Sequence, residues 1–245
     1  MPGMADWITI FLDTPAHDLD DAVCFWSAVT GWSPSTRRGE SAQFLTLEPA
    51  TGPAWVKLQA VDGPARVHLD LDSDDRPAAV ARAQQLGATH AWTYEDVEVV
   101  RSPGGLLLCH TLWHSAADGE PRLVRDGRTI IDQVCIDIPQ VWWETELEFW
   151  AALTQRPLEP SGGGYARLDT EGHPRILLQR LGEADGAVRA HPDLASADRA
   201  DDVRRHVGWG ARLVATHDRW SVLEAPGGQV YCVTDRDPRT GLLPY

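Results

Sequence analysis

The phrase SPGGLLLCHT fills residues 102–111, and APGGQVYCVT fills residues 225–234. Each reads a small residue, Pro-Gly-Gly, three mostly apolar residues, cysteine, one further residue and threonine. The two copies are offset by 123 residues (225 − 102). Pro-Gly-Gly before an apolar run is typical of a tight turn that leads into a strand, because glycine tolerates positive φ. The pattern indicates that the chain contains the same structural unit twice.

The repeat extends well beyond this phrase. Residues 67–89 align without a gap with residues 190–212, and each copy carries a histidine followed two residues later by an aspartate. After small gaps, the Phe-Trp pair at residues 25–26 meets the Phe-Trp pair at residues 149–150. A repeat of about 120 residues has the size of a domain rather than that of a solenoid unit.

The length and the net charge of the chain limit the number of domains and the classes of binding partner. Two domains are predicted, residues 1–114 and 129–245, joined by a polar linker over residues 115–128. A net charge of −14 disfavours nucleic acid and anionic membranes as partners. The sequence shows neither a secretory signal nor a run of about 18 apolar residues. Four well-separated cysteines without a CxxC pair are typical of reduced thiols, so a cytoplasmic protein is expected.

Within each repeat, the spacing of apolar residues predicts two similar halves. In the first half, residues 8–13 alternate like a strand, and residues 17–32 have the spacing of a helix that closes at Gly31. In the second half, residues 67–72 predict a strand, and Pro77 marks the first turn of the next helix. Further short strands follow each helix. Every half is therefore predicted to form a strand, a helix and three strands.

These features together resemble the vicinal oxygen chelate superfamily, which includes glyoxalase I, extradiol dioxygenases and bleomycin-resistance-type binding proteins. The resemblance is carried by HLDL at residues 68–71, by the two Pro-Gly-Gly turns and by the Phe-Trp motif of the first helix. The branch that looks most similar is the glyoxalase-like domain, in a tandem form. The resemblance implies an α+β fold: each domain has two βαβββ modules forming a curved, cup-like mixed sheet with helices on the outside.

Strand alternation separates an apolar face, which covers the helices, from a mixed face that would line the cup. The mixed face suits a small organic ligand of aromatic or amphiphilic character. In the first repeat, the predicted cup residues are Thr9, Phe11, Trp55, Lys57, Gln59, His68, Asp70 and Cys109. In the second repeat, they are Gln133, Cys135, Arg175, Gln179, His191, Asp193 and Cys232.

The resemblance also implies four strand positions that in metal-dependent relatives supply His or Gln, Glu, His and Glu. In the first repeat these positions hold Thr9, Gln59, His68 and Cys109. In the second they hold Gln133, Gln179, His191 and Cys232. Both carboxylates are replaced, and one histidine per repeat is a poor set for Ni, Mn or Fe. Two good ligands are also too few for zinc. We therefore expect no cofactor, and a divalent metal is disfavoured.

Three functions stay open at this point. The first is metal-free binding of a small molecule in one or both cups. The second is a metal-dependent lyase, isomerase or dioxygenase that uses His68 or His191 as ligand or acid–base group, with further donors such as His110 or His173. The third is a structural or partner-binding module whose cups are filled by tryptophan. The two repeats are expected to pair within a monomer, or the chain to form a homodimer.

Overall fold

The structure is a computed structural model that describes residues 7–112, 122–168 and 172–244. The α-helices within these ranges are α1 (Leu19–Thr30), α2 (Arg76–Gln85), α3 (Trp143–Thr154) and α4 (Arg199–Gly208). The strands of the first half are β1 (Trp7–Pro15), β2 (Ser33–Pro34), β3 (Phe44–Glu48), β4 (Val56–Val61), β5 (Arg66–Ser73), β6 (Thr89–Tyr94), β7 (Val97–Arg101) and β8 (Leu107–Leu112). Those of the second half are β9 (Ile130–Ile138), β10 (Leu158–Gly162), β11 (Tyr165–Leu168), β12 (Arg175–Arg180), β13 (Arg189–Ala195), β14 (Arg212–Thr216), β15 (Trp220–Glu224) and β16 (Val230–Thr234).

The chain forms a strand, a helix and three strands four times in succession, so the predicted βαβββ modules are confirmed. The first eight strands make one mixed sheet in the order β2-β3-β4-β1-β5-β8-β7-β6. The other eight make a second sheet in the equivalent order β10-β11-β12-β9-β13-β16-β15-β14. Neither sheet is closed, and the α+β fold class is confirmed.

Local sequence signals explain where the helices begin and end. α1 ends at Gly31, which takes up the left-handed conformation with a φ of 69°. Asp75 caps α2, because its carboxylate accepts a hydrogen bond of 3.0 Å from the N–H of Ala78. Asp198 caps α4 in the same way, by accepting from the N–H of Asp201. The second and fourth helices thus begin with the same aspartate N-cap, as the repeat predicts.

The first and last strands of the second module in each half run side by side. β5 pairs with β8, and β13 pairs with β16, both in parallel. In these registers Asp70 lies opposite Cys109, and Asp193 lies opposite Cys232. The histidine two residues before each aspartate shares its face of the sheet, because strand side chains alternate. The register therefore gathers a histidine, a carboxylate and a thiol in each half.

Contacts divide the chain into two compact units that do not follow the sequence repeat. Of the described residues, 7–10, 68–112, 135–168 and 172–190 make up the first unit, and 11–67, 122–134 and 191–244 make up the second. The first unit thus combines the second module of the first repeat with the first module of the second repeat. The second unit combines the two remaining modules.

The predicted domain bounds follow the repeat and stay a prediction. Of the predicted linker, residues 115–121 lie outside the described residues. No helix in the described part of the chain is long and apolar enough to cross a membrane.

Each Pro-Gly-Gly turn packs tightly inside its own unit. A Cβ on Gly104 would lie 2.3 Å from Cγ2 of Val188, so any other residue there would force its neighbours to shift. The N–H of Gly104 donates a 2.7 Å hydrogen bond to the buried carboxylate of Glu146. In the second unit, a Cβ on Gly227 would lie 2.9 Å from Cγ2 of Thr14. The predicted turns are confirmed, and each of them also holds two modules of its unit together.

Candidate functional site

In the first unit, three different metal-ligating side chains meet on one face of β5 and β8. One donor atom each from His68, Asp70 and Cys109 lies within 4.8 Å of the other two. Nε2 of His68 is 3.6 Å from Oδ1 of Asp70. His68 and Asp70 are each 6% exposed, whereas Cys109 is only half-buried. The parallel register of the two strands is the cause of this convergence.

The carboxylate of the first group has His68 as its ion-pair partner when that ring is protonated. Among the described residues, no lysine or arginine forms an ion pair with Asp70. Burial raises the pKa of the Cys109 thiol, and a hydrogen bond with His68 opposes that rise. The next residue, His110, lies on the opposite face of the strand, where burial lowers its pKa to about 4. A bound cation would pair with Asp70 and favour the thiolate form of Cys109.

In the second unit, His191, Asp193 and Cys232 form the equivalent group. Nε2 of His191 lies 3.2 Å from Oδ1 of Asp193 and 3.5 Å from Sγ of Cys232. The amide of Gln133 donates a 2.5 Å hydrogen bond to the other carboxylate oxygen of Asp193. All four side chains belong to buried residues. Sequence reasoning placed the histidine and the cysteine of each group at ligand positions but left the aspartates, Asp70 and Asp193, out of the donor sets.

A buried arginine distinguishes the second group from the first. NH1 of Arg236 lies 3.7 Å from Oδ2 of Asp193, and the same guanidinium donates a hydrogen bond to Asp132. Arg125 donates to the other oxygen of Asp132 at 2.8 Å. Burial opposes ionisation of Asp193, but His191, Arg236 and Gln133 together lower the pKa of its carboxyl group.

Five of the predicted cup residues of the first repeat lie outside the first group: Thr9, Phe11, Trp55, Lys57 and Gln59. Nζ of Lys57 lies 5.3 Å from the ring centre of Phe11, a cation–aromatic pair. The fully buried indole of Trp55 donates a 2.7 Å hydrogen bond to the carbonyl of Ile131. Trp55 is therefore a packing residue of the second unit. A ligand-contacting role of the other four stays a prediction.

Three predicted cup residues of the second repeat belong to the first unit and are not members of the second group: Cys135, Arg175 and Gln179. Cys135 is 1% exposed, and its thiol contacts Oε1 of Gln179 at 3.4 Å in the first unit. Arg175 and Gln179 are half-buried. The alternative donors His110 and His173 belong to no donor group among the described residues, and His173 packs its ring 5.3 Å from that of Trp7.

Sequence reasoning missed Arg236 and Asp132 entirely. Asp132 gave a signal that could have been used, because it interrupts the apolar face of β9 between Ile130 and Val134. A carboxylate at such a position needs a buried partner. Nothing local to Arg236 indicates that it is the partner, since the two residues are 104 positions apart in the chain.

The family model of the glyoxalase-like domain matches the chain twice, over residues 9–111 and 133–234. The chain belongs to the glyoxalase-like domain family. This confirms the predicted membership of the vicinal oxygen chelate superfamily. No curated protein matches this glyoxalase-like chain in sequence.

Solved structures share the fold of this glyoxalase-like protein at low sequence identity. The Mn(II)-bound glyoxalase from Novosphingobium aromaticivorans is 19% identical, with a TM-score of 0.65 over 96% of this chain and 83% of its own. A homoprotocatechuate 2,3-dioxygenase variant from Brevibacterium fuscum is 14% identical, with a TM-score of 0.63 over 98% and 73%. A trihydroxybiphenyl dioxygenase from Sphingomonas wittichii is 13% identical, with a TM-score of 0.60 over 96% and 90%.

The expectation that the protein takes no divalent metal is wrong. It rested on a count of two good donors per repeat, with both carboxylates replaced. The structure brings an aspartate to the histidine and cysteine of each repeat, so each group has three donors of three kinds. Structural relatives include a Mn(II)-bound glyoxalase and dioxygenases. The error has a physical origin, because the four ligand positions that the resemblance implies leave out Asp70 and Asp193. Each aspartate lies on the same strand face as its histidine, and the parallel register puts it opposite the cysteine.

Proposed function

We propose that this glyoxalase-like protein binds a divalent transition metal through a His-Asp-Cys group and uses it on a small organic molecule. The observation that carries the proposal is the convergence of an imidazole, a carboxylate and a thiol within 4.8 Å, in both halves of the chain. Catalytic zinc sites use three protein ligands and keep a further position for water or substrate. A three-donor group fits that requirement.

The donor chemistry favours zinc or a similar borderline metal. Thiolate and imidazole ligands suit zinc, whereas non-haem iron sites for oxygen chemistry use two histidines and a carboxylate. Each group here offers a single histidine. When bound, such a metal supplies Lewis-acid polarisation of an oxygen on the organic ligand. This chemistry fits a lyase or isomerase better than a dioxygenase.

The residues of the first group would bind the metal and set the electrostatic environment around it. Asp70 would supply negative charge to the first group, and Nε2 of His68 lies 3.6 Å from its carboxylate. Burial of both residues limits water at the group and strengthens its electrostatics. The half-buried Cys109 marks the side from which a ligand can approach.

Cobalt(II) binding tests the proposal, because a cobalt–thiolate bond gives a charge-transfer band in the near ultraviolet. The wild-type protein is expected to bind cobalt with this band, and the double variant His68→Ala/His191→Ala is expected to lose it. His17→Ala is the matched control, since His17 is exposed and distant in sequence from both groups. Absence of cobalt binding by the wild type, or the same band in the double variant, would overturn the proposal.

A further inference from the structure

We propose that Arg236 acts as an internal cation at the second His-Asp-Cys group, so that only the first group takes up a metal. The inference rests on the proposed function, and it predicts one metal per chain although the sequence repeats the donor set twice. The two groups share their donor types and their strand register. They differ in the charge that surrounds the aspartate.

The charges around the second group oppose a divalent cation. Two of the residues there are anionic, Asp193 and Asp132, and two are cationic, Arg236 and Arg125. The side chain of Arg236 is 6% exposed, so solvent screens its charge poorly. A metal bound by Asp193 would therefore lie close to a buried guanidinium. No arginine or lysine among the described residues pairs with Asp70, so no guanidinium or ammonium group there competes with a metal for its carboxylate.

The solvent exposure of the donors also favours metal binding at the first group over the second. In the second group, His191, Asp193 and Cys232 are 9%, 4% and 6% exposed. In the first group, Cys109 is half-buried and leaves an approach for an ion. Gln133 also holds one oxygen of Asp193 at 2.5 Å, which reduces the lone pairs free for a metal.

The chain that follows β16 keeps Arg236 in place. Its backbone carbonyl accepts a 2.9 Å hydrogen bond from the N–H of Ser196, and its side chain bonds Asp132. Arg125 donates to the carbonyl of Pro238, two residues further on. The guanidinium is therefore fixed beside Asp193 by both its backbone and its partners.

Removal of the guanidinium should open the second group. Oδ1 of Asp193 is buried, and by hydrogen-bond geometry it accepts from no donor among the described residues, although Nε2 of His191 lies 3.2 Å away as an ion-pair partner. An oxygen in this state can bind a cation once the competing charge is gone. We therefore expect Arg236→Gln to create a second metal site from His191, Asp193 and Cys232.

Equilibrium dialysis with zinc, followed by elemental analysis, measures the stoichiometry on the full chain. The wild type is expected to bind about one zinc ion, consistent with one three-donor site. Asp70→Asn should weaken zinc binding at least about tenfold, and Asp193→Asn should leave it unchanged. Two ions in the wild type, or loss of the single ion in Asp193→Asn but not in Asp70→Asn, would overturn the inference. A wild type that binds no zinc would instead refute the proposed function.

Two variants test whether a second metal site can be gained: one removes the charge of Arg236 alone, and the other also removes the opposite charge of Asp132. Arg236→Gln alone leaves Asp132 with one partner fewer, so Arg236→Gln/Asp132→Asn is measured beside it. We expect at least one of these two variants to fold and to bind about two zinc ions. Arg204→Gln is the control, because Arg204 is an exposed arginine that pairs with Asp201 on α4. If both variants fold, as judged by circular dichroism, and still bind one ion, the inference is wrong. If neither folds, the Asp70 and Asp193 variants decide it alone.

Discussion

The N–H of Gly104 donates a 2.7 Å hydrogen bond to Oε1 of Glu146, a residue 42 positions away on α3. The second oxygen of Glu146 accepts from the indole N–H of Trp150 at 2.8 Å. Glu146 is fully buried, and burial raises the pKa of its carboxyl group. The first Pro-Gly-Gly turn thus leads into β8, and it also links the second module of the first repeat to the first module of the second repeat.

Gly104→Ala tests this contact. The added Cβ would lie 2.3 Å from Val188 and 3.0 Å from Trp142, so the variant should lose about 1–3 kcal/mol of unfolding free energy. Gly182→Ala is the control, because nothing lies within 4 Å of a Cβ there and a change within about 0.5 kcal/mol is expected. Urea unfolding at neutral pH measures both. Equal stabilities of the two variants would contradict the packing account.

Trp55→Phe tests the assignment of Trp55 as a packing residue. The variant loses the hydrogen bond from the indole to Ile131 and part of the volume that packs against Trp32. A loss of about 1–3 kcal/mol is expected from the unpaired carbonyl and the smaller ring. Trp92→Phe, at a tryptophan 40% exposed, should cost far less. If the Trp92 variant were destabilised and the Trp55 variant were not, Trp55 would not be a packing residue.

Acid should destabilise the protein through His206. Burial lowers its pKa to about 4, while the ring contacts the hydroxyl of Tyr231 at 3.0 Å. Between pH 6.5 and 4 the unfolded chain binds a proton that the native state excludes, so stability falls as pH falls. For this group, the loss between pH 7 and pH 5 is about 2 kcal/mol.

The double variant His206→Leu/Tyr231→Phe removes the titrating ring and the hydroxyl that it contacts. Its unfolding free energy should fall by about 2 kcal/mol less than that of the wild type over the same pH range. His17→Ala, at an exposed histidine, should not alter the wild-type fall. An identical fall in the double variant and the wild type would show that His206 is not the cause.

Thiol reactivity should report metal at the first group. Cys24 is exposed, Cys109 is half-buried, and Cys135 and Cys232 are buried, so a thiol reagent should modify Cys24 first. Burial raises the pKa of Cys109, which slows its reaction. In Cys24→Ser, zinc should slow modification of Cys109 at least about tenfold. Modification of Cys109 at the same rate with and without zinc would contradict metal binding there.

Much of the fold could be predicted because its signals are local. Gly31 ends α1, Asp75 and Asp198 cap their helices, and the Pro-Gly-Gly turns precede β8 and β16. Each signal acts within a few residues, so the strand–helix–strand pattern follows from it. The repeat then predicts the second half from the first.

The candidate site could be predicted only in part, because its decisive contacts are non-local. Alternation places Asp70 on the same face as His68, but only the pairing of β5 with β8 brings Cys109 to them. Arg236 reaches Asp132 across 104 residues of chain. The partition into compact units, each built from two modules of different repeats, has no local signal either.

Anomalous diffraction from zinc-soaked crystals is the most direct test of metal binding by a His-Asp-Cys group. At the zinc edge, we expect one strong difference peak at about 2.0–2.3 Å from Nε2 of His68, a carboxylate oxygen of Asp70 and Sγ of Cys109. A peak found only elsewhere on the protein, or no peak at either group, would contradict the account.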